Sequence, residues 1–177
     1  MKTNILITGL PRSGKTTLLN KLIANIPNKM GFVTNEILGE TERLGFEIET
    51  HSGHKKTFAH VDFKTDIKVS RYFVDIKKLE EILPEVSDFG NDVFLYLDEI
   101  GQMELFSKQF EKLVLKYLDS RNTCLATLSC VFESDFIKQI RERGDVILIE
   151  LSPESREDDE IIASQLLREI EKSKKYD

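Results

Sequence analysis

Residues 9–17 read GLPRSGKTT and follow directly on the apolar run NILIT at 4–8. No other stretch narrows the fold so far. A short continuous apolar run suits a strand buried on both faces of a parallel sheet. Residues 14–26, GKTTLLNKLIANI, place Leu18, Leu19, Leu22, Ile23 and Ile26 at helical spacing, and Pro27 stands where a helix stops. The glycine-rich stretch therefore joins a buried strand to an amphipathic helix. Gly9, Gly14, Lys15 and Thr16 fit the pattern G-x-x-x-x-G-K-[ST]. Glycine lets the backbone turn tightly and bring successive N–H groups up to phosphate oxygens. The helix adds its N-terminal N–H groups and positive dipole end. Lys15 then supplies a point charge for the β- and γ-phosphates, and the Thr16 hydroxyl a magnesium ligand. Four such positions arise by chance in roughly one chain per hundred; the strand before and the helix after make coincidence far rarer. Arg12 contributes its backbone to this cradle, and its side chain faces either solvent or the terminal phosphate.

A magnesium nucleotide needs an acid at the end of a second buried strand. DVFLYLDEIG at 92–101 is such a strand, and Asp98 ends its apolar run. Glu99, one step on, points away from Asp98 if the extended chain continues, from where it reaches a water aligned with the γ-phosphate and serves as general base. Gly101 allows a turn close to the phosphate loop. Glu104 reads as a cap of the next helix. Thr127 and Ser129, near the end of CLATLSC at 124–130, read either as satisfied core hydroxyls or as partners of the γ-phosphate or the attacking water. SPESRED at 152–158 follows the last core strand, DVILIEL at 145–151, on the ligand side of an open α/β sheet. There Pro153 packs on a base and Arg156 stacks or pairs, unless the stretch is simply the N-cap of the last helix.

The remaining segments set the class. GFVTNEI, GFEIET and KKTFAH within 31–60 are strand-like pieces separated by LGETER and HSGH, expected as a second strand and a β-hairpin projecting from the main sheet. Residues 61–72 carry little signal. Ile76, Leu79, Ile82 and Leu83 form a helical face ending at the Pro84–Gly90 region; Phe106, Phe110, Leu113, Val114, Tyr117 and Leu118 form another, and Phe136, Ile137 and Ile140 a third. A last helix over about 157–173 runs from EDDE to KSKK, the charge order its dipole favours. Strands alternating with helices mean an α/β fold with a mainly parallel central sheet, expected as one domain over 1–177 with 31–72 as strand plus hairpin insertion.

Composition excludes some classes of partner. Acidic residues number 31 against 25 basic, a formal charge of −6, so nucleic acid is not expected as the main partner. MKTNILITGLP reaches its glycine too soon for a secretory leader, and no apolar run nears the roughly 20 residues of a bilayer span. A cytoplasmic protein with no membrane partner is expected. Cys124 and Cys130 lack metal-ligand spacing and read as buried thiols. His51, His54 and His60 read as loop residues rather than metal ligands.

With these residues in hand, the chain resembles the small P-loop nucleoside-triphosphatase family first met in hyperthermophiles, whose human relative is called cancer-related nucleoside-triphosphatase. ITGLPRSGKTTL, GFVTNEI, RLGFEI, LDEIGQMELFS and LSPESRE carry the resemblance nearly end to end. It implies Mg2+-dependent hydrolysis of ATP, GTP and other nucleoside triphosphates to diphosphate and phosphate, with low base selectivity and slow turnover. It implies a three-layer P-loop NTPase fold of the RecA-like branch, where another strand separates the phosphate-loop and magnesium-acid strands. Carried over, Gly9, Leu10, Pro11, Arg12, Ser13, Gly14, Lys15, Thr16 and Thr17 form the nucleotide loop. Leu97, Asp98, Glu99, Ile100, Gly101, Gln102, Met103 and Glu104 form a second nucleotide-side segment. Thr16 and Asp98 are then the metal-side residues, and Glu99 and Lys15 the catalytic ones. The sequence departs from the family at Leu10-Pro11-Arg12-Ser13, at ATLSCVF and at Ser155; the first leaves phosphate binding intact, because backbone groups do it.

Two other functions fit a phosphate loop. One is a small kinase transferring the γ-phosphate to a nucleotide or metabolite, for which Arg43 and Arg71 in the 31–72 region are the scattered cations. The other is a nucleotide-dependent switch whose hydrolysis only times the binding of a protein partner.

Overall fold

The computed structural model describes residues 4–152, 154 and 156–173. β1 (Asn4–Gly9) leads through the phosphate loop into α1 (Lys15–Ile23). Five strands follow: β2 (Lys29–Leu38), β3 (Arg43–Thr50), β4 (Lys55–His60), β5 (Ile67–Val69) and β6 (Tyr72–Val74). Two short helices, α2 (Ile76–Glu80) and α3 (Leu83–Ser87), precede β7 (Phe94–Ile100). A 3-10 turn at Glu104–Phe106 leads to α4 (Lys108–Leu118), then β8 (Cys124–Ser129), α5 (Asp135–Arg141), β9 (Val146–Leu151) and α6 (Arg156–Ser173).

Among the described residues the strands form one sheet in the order β5-β6-β4-β3-β2-β7-β8-β1-β9. From β2 to β9 all neighbours are parallel; from β2 to β5 all are antiparallel. The expected mainly parallel sheet with a projecting hairpin is therefore corrected to a mixed sheet. The reason lies in β2. It pairs with β7 only over Lys29–Phe32, and its remaining length pairs with β3 instead. The hairpin takes up the β2 edge and stays in the sheet. β5 and β6, three residues each, are too short for alternation to register, which is why 61–72 looks featureless.

Side chains alternate across the parallel half. Ile5, Ile7, Tyr96 and Leu125 pack with Leu18, Leu19, Ala163, Leu167 and Ile170 of α1 and α6. Leu6, Leu95, Leu97 and Ala126 pack on the opposite face with Leu79, Val86, Phe110, Val114, Tyr117 and Ile137. Helices thus cover both faces, as burial of continuous apolar strands requires. α4 starts where Ser107 Oγ accepts from Phe110 N at 3.1 Å. Phe106, expected on its apolar face, lies before that cap and is 44% exposed. Pro84 opens α3 rather than ending a helix, because a first-turn proline forfeits no intrahelical bond. Among the described residues no helix is long and apolar enough to cross a membrane.

Candidate active site

The phosphate loop leaves β1 at Gly9 (φ 148°) and enters α1 at Gly14 (φ 97°). Ser13 N donates to Leu10 O at 3.0 Å, closing a turn between them. Arg12 at the tip has φ 66°, a left-handed conformation that a non-glycine residue rarely adopts. The loop curls around Lys15, whose Nζ donates to Gly9 O at 3.0 Å and Leu10 O at 3.2 Å. The side-chain charge is thus held inside the loop and largely buried. Cys130, half-buried rather than buried as expected, donates its Sγ–H to the same Gly9 carbonyl at 3.0 Å. Cys124 is buried, and burial pushes its thiol up to about 12.

The acid strand reaches this loop through an irregularity. β7 pairs with β8 in step up to Leu97↔Ala126, then resumes at Ile100↔Leu128. Three residues of β7 thus advance against two of β8, and Asp98 and Glu99 sit in a bulge. Bulges re-aim side chains, and here both carboxylates line one cavity with Lys15 and Thr16. The alternation expected of an extended chain, with Glu99 pointing away from Asp98, is corrected on that point. The Asp98–Glu99 peptide is cis.

Asp98 is 1% exposed and surrounded by donors. Thr16 Oγ1 reaches its two carboxylate oxygens at 3.0 and 2.9 Å across 82 residues of sequence. Thr127 Oγ1 donates to Oδ1, and Thr34 N to Oδ2 at 3.5 Å. Thr34 Oγ1 also donates to the Asp98 carbonyl at 2.6 Å. Burial pushes the Asp98 carboxyl above the usual carboxylate range, while Thr127, Thr16 and Thr34 pull it down. Burial likewise raises Glu99, opposed by the Lys15 charge. Glu104 is buried as well, and burial together with the neighbouring Glu99 charge raises it well above the ordinary range. A methyl group on Gly101 would stand 3.2 Å from both Glu104 Oε2 and Glu99 Oε1. Glu104 is therefore not the helix cap that the sequence suggested, since Ser107 holds that place; it is a carboxylate of the cavity.

The cavity measures about 740 Å3, within the range of roughly 300–1,000 Å3 of organic-ligand sites. Its loop side is Pro11, Arg12, Gly14, Lys15, Thr16 and Thr17, and its acid side Asp98, Glu99, Gly101, Gln102, Met103 and Glu104. Ser129, Val131 and Phe132 close one flank. The far wall comes from the antiparallel half: Thr34, Asn35 and Glu36 of β2, Arg43 and Phe46 of β3, and Val69 of β5.

A family model described as NTPase matches residues 4–167. The chain belongs to this NTPase family. It is 38% identical over 154 residues to "Nucleoside-triphosphatase THEP1" of Thermotoga sp. strain RQ2, covering 86% of this chain and 88% of that protein. The crystal structure of THEP1 from Aquifex aeolicus superposes with a TM-score of 0.82 at 32% identity, covering 93% of this chain and 98% of the other. The solution structure of a human cancer-related nucleoside triphosphatase superposes with a TM-score of 0.72 at 27% identity over 96% of each chain.

Within this NTPase frame most of the expected site residues meet in the cavity. Others do not face it. Leu97 and Ile100 are fully buried in the core on one face of the sheet. Gly9 and Leu10 act through their carbonyls, and the Leu10 side chain is exposed. Ser13 is buried in the loop and its hydroxyl has no hydrogen-bond partner. Thr127 turns to Asp98. Pro153 and the side chain of Arg156 lie outside the described residues. His54 lies against Glu85 at the surface, whereas His60, expected in a loop, ends β4 half-buried, where its Nδ1 accepts from Asp62 N at 3.1 Å. Of the far wall, the sequence pointed only to Arg43, as a cation for the kinase alternative, and the rest was missed. Its signal was the polar pair Thr34 and Glu36, two residues apart in a strand that begins apolar.

Proposed function

We propose that this NTPase hydrolyses nucleoside 5'-triphosphates, ATP and GTP among them, to diphosphate and phosphate, with Mg2+ as cofactor, low base selectivity and slow turnover. The observation that carries this reading is the meeting of Lys15, Thr16, Asp98 and Glu99 on one cavity. The nucleoside-triphosphatase relatives support the reaction class. We place the fold in the RecA-like branch, which β8 supports by lying between β1 and β7.

The donor set fits Mg2+. Among the described residues no cluster of three or more His, Cys, Asp or Glu could hold a metal alone, and Mg2+ characteristically takes one or two carboxylates plus phosphate oxygens and water. The Thr16 hydroxyl and the Asp98 carboxylate, already in contact, would hold it. When bound it would neutralise charge on the β- and γ-phosphate oxygens.

The chain supplies the rest. Loop N–H groups and Lys15 bind the phosphates, and none of them reads a base. Thr127, Thr16 and Thr34 hold Asp98 in place. Glu99 takes a proton from water as the water oxygen attacks the γ-phosphorus and the diphosphate leaves. Slow turnover suits a water served by one carboxylate. Pro153 and Arg156 remain the proposed base contacts.

Phosphate release from ATP, GTP, CTP and UTP, with Mg2+ and with chelator, tests the reading. Lys15→Ala should lose nucleotide binding. Glu99→Gln should bind nucleotide as wild type yet release phosphate about 100-fold more slowly, the scale of a positioned general base. Undiminished release from Glu99→Gln removes Glu99 as the base.

A further inference from the structure

Three cations line the cavity among the described residues, and two of them are tied. Lys15 donates to the carbonyls of Gly9 and Leu10. On the far wall the Arg43 guanidinium pairs with Glu36, donates to the Tyr72 hydroxyl and lies over the Phe46 ring. Arg12 is the third. It is exposed, and among the described residues its guanidinium has no hydrogen-bond or ion-pair partner.

The backbone makes arginine an unexpected choice at this position. Ser13 N donates to Leu10 O at 3.0 Å, with Pro11 and Arg12 between them. Proline holds φ at about −65°, and Arg12 has φ 66°. These are the marks of a type II turn, whose third residue is ordinarily glycine because φ > 0 strains a residue with a Cβ. Arginine thus costs backbone strain here, and its guanidinium returns no hydrogen bond or ion pair to the folded chain. The Leu10 side chain, at the first position of the turn, is 63% exposed and lies off the cavity wall, whereas Arg12 is on it.

Which phosphate Arg12 meets follows from the acids. The water served by Glu99 attacks the γ-phosphorus, so the γ-phosphate lies between Lys15 and Glu99. Glu104 stands beside Glu99 at Gly101. A terminal phosphate in that place has carboxylates on its acid side, and a cation on its loop side offsets the repulsion. Arg12 enters the cavity from the loop side.

We propose that Arg12 is a catalytic residue, an arginine supplied by the phosphate loop itself that binds the γ-phosphate oxygens as the terminal bond breaks. The proposal rests on the hydrolytic reading and deepens it. The water oxygen bonds to the γ-phosphorus, its proton passes to Glu99, and the electron pair of the broken bond stays on the β–γ bridging oxygen. Negative charge is spread over the γ-phosphate oxygens in that transition state. A guanidinium fork meets two of those oxygens at once, which the point charge of Lys15 does not. Lys15 and the loop N–H groups hold diphosphate and triphosphate alike. Arg12 acts on the group in transfer, so its loss appears in kcat rather than in affinity for diphosphate.

Arg12→Ala and Arg12→Gly test this together, because glycine relieves the positive φ that alanine keeps. Both variants should bind ADP with Mg2+ as the unaltered protein does, measured by calorimetry. Both should release phosphate from ATP with kcat lowered by about 100-fold or more, the scale of one donor aimed at developing charge. ADP with aluminium fluoride, a mimic of the phosphoryl group in transfer, gives a readout without turnover. The unaltered protein should hold it far more tightly than ADP alone, and both variants should lose that gain. Recovery of kcat in Arg12→Gly alone assigns the loss to loop strain and overturns the role. A fall in ADP affinity that accounts for the whole loss of kcat/KM makes Arg12 a ground-state anchor and overturns it too. Phosphate release at the unaltered rate from both variants removes Arg12 and leaves hydrolysis standing, whereas no phosphate from the unaltered protein overturns both readings.

Discussion

Thr127→Val replaces a fully buried hydroxyl by a methyl of similar size, so no cavity opens and the perturbation is confined to one hydrogen bond. That bond ends on Asp98, itself 1% exposed. The carboxylate keeps Thr16 at 2.9–3.0 Å and the long contact from Thr34 N at 3.5 Å, but loses its one donor from β8. A hydrogen bond to a charged group contributes about 1.5–3 kcal/mol, against about 1 kcal/mol for a neutral one. For a chain of this length 1 kcal/mol moves Tm by about 2–4 °C, so Thr127→Val should melt about 3–12 °C lower. Thr65→Val provides the neutral reference: Thr65 Oγ1 donates to Val74 O at 2.8 Å, away from the cavity, and should lower Tm by about 2–4 °C. Thermal melts at pH 7 give the first measurement. Steady-state phosphate release gives the second, where a displaced Asp98 should cost about tenfold in kcat/KM, or ~1.4 kcal/mol. Thr65→Val should leave phosphate release near wild type. If Thr127→Val melts no lower than Thr65→Val and releases phosphate at the wild-type rate, Thr127 does not hold Asp98, and the account of the bulge as the positioned acid site fails.

Gly101→Ala puts a methyl 3.2 Å from two carboxylate oxygens; it should slow phosphate release several-fold with little change in nucleotide affinity, and a KM change without a kcat change would count against it. Glu85 accepts from Ser52, Thr50 and His54, and these hydrogen bonds lower its carboxyl to about 2. Because the folded value lies below the unfolded one, its stabilisation is present above about pH 4.5 and fades as pH falls toward 2. The Tm gap between wild type and Glu85→Gln should therefore narrow from pH 5 to pH 2.5, and a constant gap would show that the carboxylate charge is not what these donors hold.

Local chemistry was legible in the sequence. A phosphate loop is made by contiguous residues whose conformation follows from glycine and from the strand and helix on either side, so GLPRSGKTT could be read without knowing the fold. Asp98 was legible for the same reason, as the polar end of a run buried on both faces. Glu99 was legible as the next acid of that run, but the direction in which it points was not, because that depends on a register slip between β7 and β8 that neither strand's own pattern records. Glu104 looked like a cap until Ser107 was found in that place and its own carboxylate beside Glu99. The mixed sheet was hidden because pairing direction is decided by which edge remains open, here the second half of β2 beyond Phe32. That choice also made the site's far wall. Arg43 and Phe46 of β3 and Tyr72 of β6 are ordinary strand residues until the sheet sets those two strands on either side of β4. Their meeting with the phosphate loop is a product of long-range pairing, which no local propensity encodes.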